Sequence, residues 1–110
     1  ILLLLMSIEK PPPEITRAVK AGAAWLEAAK LTGIRVEQTA GDRRVVKDPS
    51  APPLWARFYE IETNRPFFCD RDGVKKDTLS EIGAERRNGY AWYGNWGIAV
   101  AKAYDRWPHR

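Results

Sequence analysis

The first eight positions, ILLLLMSI, are almost wholly apolar and run straight into EKPPPE. The run resembles the apolar stretch of a signal peptide only at a glance, because it lacks an initiator Met, a basic lead-in and a small-residue cleavage site. It is also far too short to span a bilayer. It reads as the last two turns of a buried helix whose beginning is absent, which makes the chain the C-terminal fragment of something longer. Pro13 followed by Glu14 suits a first helical turn, where the missing N–H of proline costs nothing and a carboxylate meets the positive end of the helix dipole. Ile15, Val19, Gly22, Leu26 and Ala29 then recur at helical spacing, Trp25 widens the stripe, and Gly33 stands where a left-handed C-terminal cap is expected. The pattern predicts a helix over Pro13 to Leu31. Gly22 within the stripe marks the close approach of another helix, the one ending near Ile8.

After Gly33 the periodicity changes. IRVEQ and RRVVKD are strand-like runs separated by TAGD, a hairpin turn, and PSAPP follows as a rigid connector. Over Trp55 to Ile61 an extended chain would project Trp55, Arg57, Tyr59 and Ile61 to one face and Ala56, Phe58 and Glu60 to the other. Pro66 breaks that run, PFFC gives a second extended piece, and DRDG is a turn in which Gly73 takes positive φ. Thr78 and Glu81 form a capping box that opens a short helix over LSEIGAERR, closed by Gly89 after Asn88. YAWYGNW is an aromatic loop, and a final helix runs from Gly97 to Asp105. There is no internal repeat and no low-complexity tract beyond the triple proline. These elements predict a mainly α fold with long irregular loops and short strands.

Composition alters this picture little. With 110 residues the chain is at most one domain with a modest core, and its 45% hydrophobic and 29% charged residues exclude disorder. Charge adds more. The net charge is +4, and 11 of the 18 basic residues are arginine, whose planar fork holds carboxylates and phosphates bidentately. An anionic partner fits that bias. Cys69 is the single cysteine, so neither an intrachain disulfide nor a zinc site can be built.

The candidate chemistry narrows by elimination. His109, the one histidine, is next to last in the chain, where termini fray, so no Ser or Cys has a histidine available to activate it. Asp70 and Asp72 have the spacing of two calcium-loop ligands but lack the further oxygens of an EF-hand, and read as turn caps. What remains is the cluster Arg57, Tyr59, Asn64, Arg65 and Arg71. One reading is structural, with these arginines paired to Glu60, Glu62, Asp70 and Asp72. The other is a surface for an anionic ligand, with guanidinium forks on carboxylate or phosphate, Asn and Tyr on hydroxyls, and ring faces against sugars or bases. Composition does not choose between acidic polysaccharide and nucleic acid.

The runs LWARFYEIETNRPFFCDRDG, ERRNGYAWYG and LLMSIEKPPPEITRAVKAGAAWLEAAKLTGIRV together resemble the C-terminal portion of family 10 pectate lyases, members of polysaccharide lyase family 10. The resemblance covers essentially the whole chain. The central run departs from the family pattern at Glu62, Phe67 and Asp70, where the family has a smaller residue, an aliphatic and a glycine, and Asp70 sets a negative charge beside Arg71.

The resemblance implies residues 1–110 as the C-terminal part of a pectate lyase catalytic domain and, as fold, a C-terminal fragment of an (α/α) toroid. It implies calcium-dependent β-elimination on polygalacturonate by a secreted or periplasmic bacterial enzyme, monomeric when full length, with an arginine as base. Base and calcium ligands belong upstream of residue 1, so this chain carries no metal site and is inactive alone. Arg57 and Arg71 bind galacturonate carboxylates, while Tyr59, Asn64 and Arg65 line or brace the same cleft. The expected partner is acidic polysaccharide, not nucleic acid or membrane. Two alternatives stay open: a basic nucleic-acid-binding module, and a purely structural C-terminal module.

Overall fold

A computed structural model describes every residue from Ile1 to Arg110. The chain divides into two compact units, Ile1–Lys30 with Trp96–Arg110, and Leu31–Asn95. The first unit is helical. Helix α1 (Leu2–Met6) precedes α2 (Pro13–Ala29), and α4 (Trp96–Asp105) returns to pack with both. As Pro13 and Glu14 predict, α2 carries its proline at the N-terminus and a carboxylate in its first turn. Gly22 lets α1 approach: a Cβ there would stand 2.8 Å from Leu2 Cδ2. Contrary to expectation, α1 has no fully buried residue: Leu2, Leu5 and Met6 are half-buried and Leu4 is 71% exposed. The C-terminus is packed: Trp107 is buried, His109 lies edge-on against it with ring centroids 5.5 Å apart, and the Arg110 guanidinium donates to the Trp107 carbonyl at 3.0 Å.

The second unit is built on antiparallel pairs. Strands β1 (Ile34–Thr39) and β2 (Asp42–Lys47) form the TAGD hairpin, with Ala40 and Gly41 both at positive φ (51° and 75°), the pairing a tight primed turn requires. Strand β3 (Trp55–Ala56) pairs with β6 (Tyr93–Gly94), and β4 (Phe68–Cys69) pairs with β5 (Lys75–Lys76). A 3-10 turn (Leu79–Glu81) and helix α3 (Ala84–Asn88) lie between β5 and β6. Phe68, Leu79, Ile82 and Trp92 form the core, with Val45, Cys69, Tyr90 and Tyr93 packed around them.

The mainly α expectation is therefore wrong. Helix accounts for 36% of the residues and strand for 22%, and the larger unit rests on three two-stranded antiparallel sheets, so the fold is mixed α and β and a piece of an (α/α) toroid does not describe it. Two helix boundaries also differ from expectation. Helix α2 ends at Ala29 rather than Leu31, because Leu31 leaves the helix to exchange backbone hydrogen bonds with Leu54 at 2.7 and 2.9 Å. Gly33 has the expected positive φ of 77° but does not cap the helix; its carbonyl accepts from Asp48 N at 2.8 Å and closes the base of the hairpin. The single helix expected over LSEIGAERR is split. The capping box exists, with Thr78 N and its hydroxyl donating to Glu81 Oε1 at 3.1 and 2.8 Å, but it opens only the 3-10 turn. Ile82 is extended, which presents Gly83 N to the Asp70 carboxylate at 2.6 Å and the Ile82 carbonyl to Arg87 Nη1 at 2.6 Å.

An ion pair ties α3 to the hairpin. The Arg87 guanidinium grips both oxygens of Asp42, at 2.9 and 3.0 Å, and Arg43 N donates to Asp42 Oδ1 and to Asn88 Oδ1 at 2.8 and 2.7 Å. The hydrogen bond from Arg87, seconded by Asn88, holds the Asp42 carboxyl down at about 2.

Candidate functional site

The Trp55–Gly73 stretch does not run as one extended ribbon. Trp55 and Ala56 are both buried in their pairing with β6, and Arg57 N then donates to the Trp92 carbonyl at 2.8 Å as the chain bends. Residues 58–67 fold back as a small hairpin: Phe67 N bonds the Phe58 carbonyl at 3.2 Å, Tyr59 bridges Pro66, and Glu60 N bonds the Arg65 carbonyl at 2.8 Å. Its tip puts Ile61 96% into water and Asn64 at φ 57°, a conformation asparagine tolerates better than most residues. The strict alternation expected over Trp55 to Ile61 fails because this turn interrupts it. Gly73 does take positive φ (74°) in its turn, closed by Gly73 N to the Asp70 carbonyl at 3.1 Å and by Val74 N to Asp72 Oδ1 at 3.0 Å.

The five expected site residues differ in what they do. Arg57 donates Nε to the Ala91 carbonyl at 2.7 Å and lies over the Tyr90 ring, 4.8 Å from its centroid. Tyr59 turns its hydroxyl back to accept from Ala56 N at 2.9 Å, so it braces the bend. Asn64 shapes the hairpin tip through its backbone, Asn64 N bonding the Glu60 carbonyl at 2.8 Å. Arg65 stands exposed beside it with no acidic side chain paired to it. Arg71 is 72% exposed and points its fork at Glu85 in α3, with Nε 3.0 Å from Oε1 and Nη2 also on that oxygen. The structural alternative thus has other partners than its sequence form gave. Glu60 pairs with Lys75, Arg71 with Glu85, and the two aspartates bond backbone N–H groups.

Asp70 spends its carboxylate on Gly83 N and on Arg71 N, at 2.6 and 2.8 Å. Those bonds, that to Gly83 first, lower its pKa. Its charge is directed into the bend at Gly83, where a Cβ would come within 2.8 Å of Asp70 Oδ2.

Around Arg57 the rings converge. Phe58 stacks on Phe67 at 5.8 Å and on Tyr90 at 6.3 Å, and meets Trp92 edge-on at 5.9 Å. Tyr90 and Trp92 meet at 4.9 Å, Lys75 Nζ lies 5.1 Å from the Phe67 centroid, and the Arg86 guanidinium lies 5.5 Å from that of Tyr90. Tyr90 thus carries two guanidinium groups, and Arg86 Nε is buried with no hydrogen-bond partner in the chain. Burial raises the pKa of Tyr59, and burial followed by the neighbouring Tyr59 pushes Tyr93 up to about 12, so both phenols stay protonated near neutral pH and act as hydrogen-bonding groups, not bases.

No three His, Cys, Asp or Glu side chains converge to hold a metal ion, and Asp70 and Asp72 have committed oxygens to backbone N–H groups, so these residues do not fit a calcium site. No helix is long and apolar enough to cross a membrane. Sequence reasoning missed Arg86, Tyr90 and Lys75 as parts of the cationic aromatic surface. The run ERRNGYAWYG contained Arg86 and Tyr90, while Lys75 lies two residues beyond the run that ends in DRDG; only the packing of Tyr90 on Phe58, of Arg86 on Tyr90 and of Lys75 on Phe67 singles them out.

The chain matches the family model described as pectic acid lyase over residues 1–101. It is similar to the solved structure of a family 10 polysaccharide lyase from Cellvibrio cellulosa, 33% identical with a TM-score of 0.86, covering 99% of this chain and 34% of that one. It is also similar to a mutant of the family 10 polysaccharide lyase from the same organism, an aspartate-to-alanine form in complex with trigalacturonic acid, 34% identical with a TM-score of 0.85 and covering 97% of this chain and 34% of that one. No curated protein matches it. The chain spans about a third of the length of the solved structures it matches. Over nearly all of its residues, then, the chain belongs to the pectic acid lyase family, within the family 10 polysaccharide lyases.

Proposed function

We propose that this chain supplies part of the substrate cleft of a pectate lyase that cleaves polygalacturonate by β-elimination. The observation that carries the reading is the stack of Phe58, Phe67 and Tyr90 with the guanidinium groups of Arg57 and Arg86 over the Tyr90 ring, in a chain belonging to a lyase family. Ring faces suit the C–H faces of pyranose units, and guanidinium forks suit their carboxylates. In the proposed reaction the proton on C5 of a galacturonate leaves to a base, its electron pair forms the C4–C5 double bond, and the C4–oxygen bond breaks to expel the next sugar. The carboxylate on C5 resists that deprotonation until its charge is neutralised. Arg57 and Arg71 supply that neutralisation, Arg71 by exchanging Glu85 for substrate, while Arg65 extends the cationic edge and Tyr59 and Asn64 hold the backbone that presents them.

The base, and the carboxylates of a calcium site, belong to residues outside 1–110; the parent enzyme acts as a secreted or periplasmic monomer. The test is binding of the chain to polygalacturonate and to single-stranded RNA over a range of salt. The expected result is pectate binding weakened about tenfold or more by Arg57→Ala, with RNA binding absent or lost at moderate salt. Tighter binding to RNA, or pectate binding indifferent to Arg57→Ala, would refute it.

A further inference from the structure

The face that the β1–β2 hairpin turns toward the core changes character along its length. Val36 and Val45 are directly opposite each other in the register, and Val45 packs on the Phe68, Leu79, Ile82 and Trp92 cluster. The next pair on the same face is Gln38 opposite Arg43. Toward the turn the face leaves the core: Gln38 is exposed and Arg43 half-buried, so this polar pair faces the opening beside the core. Beside them lies a cleft of about 350 Å3, walled by Val36, Gln38 and Arg43 on the hairpin side and by Tyr90, Trp92 and Tyr93 on the other. Its size is at the lower end of the roughly 300–1,000 Å3 typical of small-ligand sites.

Arg43 is half-buried and forms no ion pair, although Arg35, Arg44 and Arg87 on or beside the same hairpin all do. Its Nη1 donates to the Tyr90 carbonyl at 3.2 Å, which fixes the side chain against the aromatic wall, while Nε and Nη2 have no partner in the chain. The nearest carboxylate, Asp42, is already held on both oxygens by Arg87. A preoriented guanidinium with unspent donors, a free amide opposite and the partly exposed Tyr90 and Tyr93 rings beside it is a receptor for one planar anion attached to a ring with apolar C–H faces. Tyr90 belongs both to this cleft and to the surface carrying Arg57, so the cleft continues that surface.

We infer that the cleft between the hairpin and the Tyr90–Tyr93 segment is an additional subsite for a single galacturonate unit, with Arg43 gripping the carboxylate and Gln38 a ring hydroxyl. This rests on the acidic-polysaccharide reading of the same unit. The subsite makes binding depend on oligomer length and on free carboxylates, because a chain long enough to reach it from Arg57 gains one more charged contact.

The experiment measures binding of the 110-residue chain to trigalacturonate, hexagalacturonate and methyl-esterified hexagalacturonate by titration calorimetry, for the wild type, Arg43→Gln, Gln38→Ala and Arg57→Ala, with a thermal melt of each. Gln38 is exposed and bonded to nothing, so Gln38→Ala tests the cleft without touching the fold, whereas Arg43→Gln also removes the Tyr90 contact. The inference expects the wild type to bind the hexamer more tightly than the trimer or the ester. Arg43→Gln should lower hexamer affinity about tenfold and Gln38→Ala severalfold, both with unchanged trimer binding. Hexamer affinity that stays at the wild-type value in both variants while Arg57→Ala abolishes binding overturns the subsite and leaves the proposed function standing. Wild-type protein that binds no oligomer overturns both. Preferential, Arg43-dependent binding of single-stranded RNA overturns the inference in favour of a phosphate-binding cleft.

Discussion

Trp92 connects the core to the candidate site, and its replacement tests both at once. The indole is 2% exposed, packs against Phe58, Phe68 and Tyr90 with centroids 4.9 to 5.9 Å away, and donates Nε1 to the Arg86 carbonyl at 3.0 Å. Trp92→Phe keeps a ring but deletes that bond and the volume of the fused five-membered ring. The bond is worth about 1 kcal/mol, and the lost apolar contact adds about 1 kcal/mol. The expected loss is therefore about 2 kcal/mol for Phe, and about 3–5 kcal/mol for Trp92→Ala, which also opens a cavity. Against a total of about 5–15 kcal/mol for a domain of this size, the alanine variant stands near the edge of folding. The assay is urea unfolding followed by near-ultraviolet circular dichroism, with Ile61→Ala as a control at a fully exposed tip, expected within about 0.5 kcal/mol of wild type. In a melt, the Phe variant should fall by roughly 8–16 °C. A loss below about 0.5 kcal/mol for Trp92→Phe would refute the packing argument, and unchanged pectate binding by a folded Trp92→Phe with a displaced Tyr90 would refute the claim that the rings serve the ligand.

Three further outcomes are expected. Because the Asp42 carboxyl is held near 2, below its ordinary value of 3.8, its contribution to stability is fully present above pH 4 and is lost as pH falls from about 4 to 2; the melting temperature should drop across that window, and Asp42→Asn should be less stable at pH 7 and flatter in acid. Gly89→Ala puts a Cβ 2.9 Å from the Glu85 carbonyl, a backbone atom that can move only by distorting α3, so it should cost about 1–3 kcal/mol in denaturant unfolding, whereas wild-type stability would show that the turn has room. Arg71→Lys keeps the charge but not the fork; since its fold-side partner Glu85 is itself largely exposed, the melting temperature should hardly move while pectate affinity falls about tenfold, and unchanged affinity would remove Arg71 from the ligand surface.

What the sequence determined by itself is what depends on neighbours a few positions apart. Pro13 and Glu14 set the start of α2, Ala40–Gly41 the hairpin, Asp70 to Gly73 a turn, and Thr78 and Glu81 a reciprocal cap. Each is decided by a backbone angle or a hydrogen bond that closes within about one turn of chain. The family was legible for a related reason, as a long contiguous motif.

The tertiary structure alone decided where partners lie far apart in the chain. Leu31 ends α2 early because Leu54 offers it a ladder, and Gly83 breaks the expected LSEIGAERR helix because Asp70, thirteen positions away, accepts its N–H. These trades shorten the expected helices, and the pairing of β3 with β6 and of β4 with β5 makes the fold mixed. The same holds for the site. Arg57, Tyr59, Asn64, Arg65 and Arg71 were found as a composition, but the pattern could not show that Arg57 rests on Tyr90, that Arg71 is held by Glu85, or that Tyr59 faces its own backbone. A guanidinium satisfies its donors with whatever acceptor folding brings near, and that acceptor is set by the packing of Phe68, Leu79, Ile82 and Trp92, not by the residues flanking the arginine.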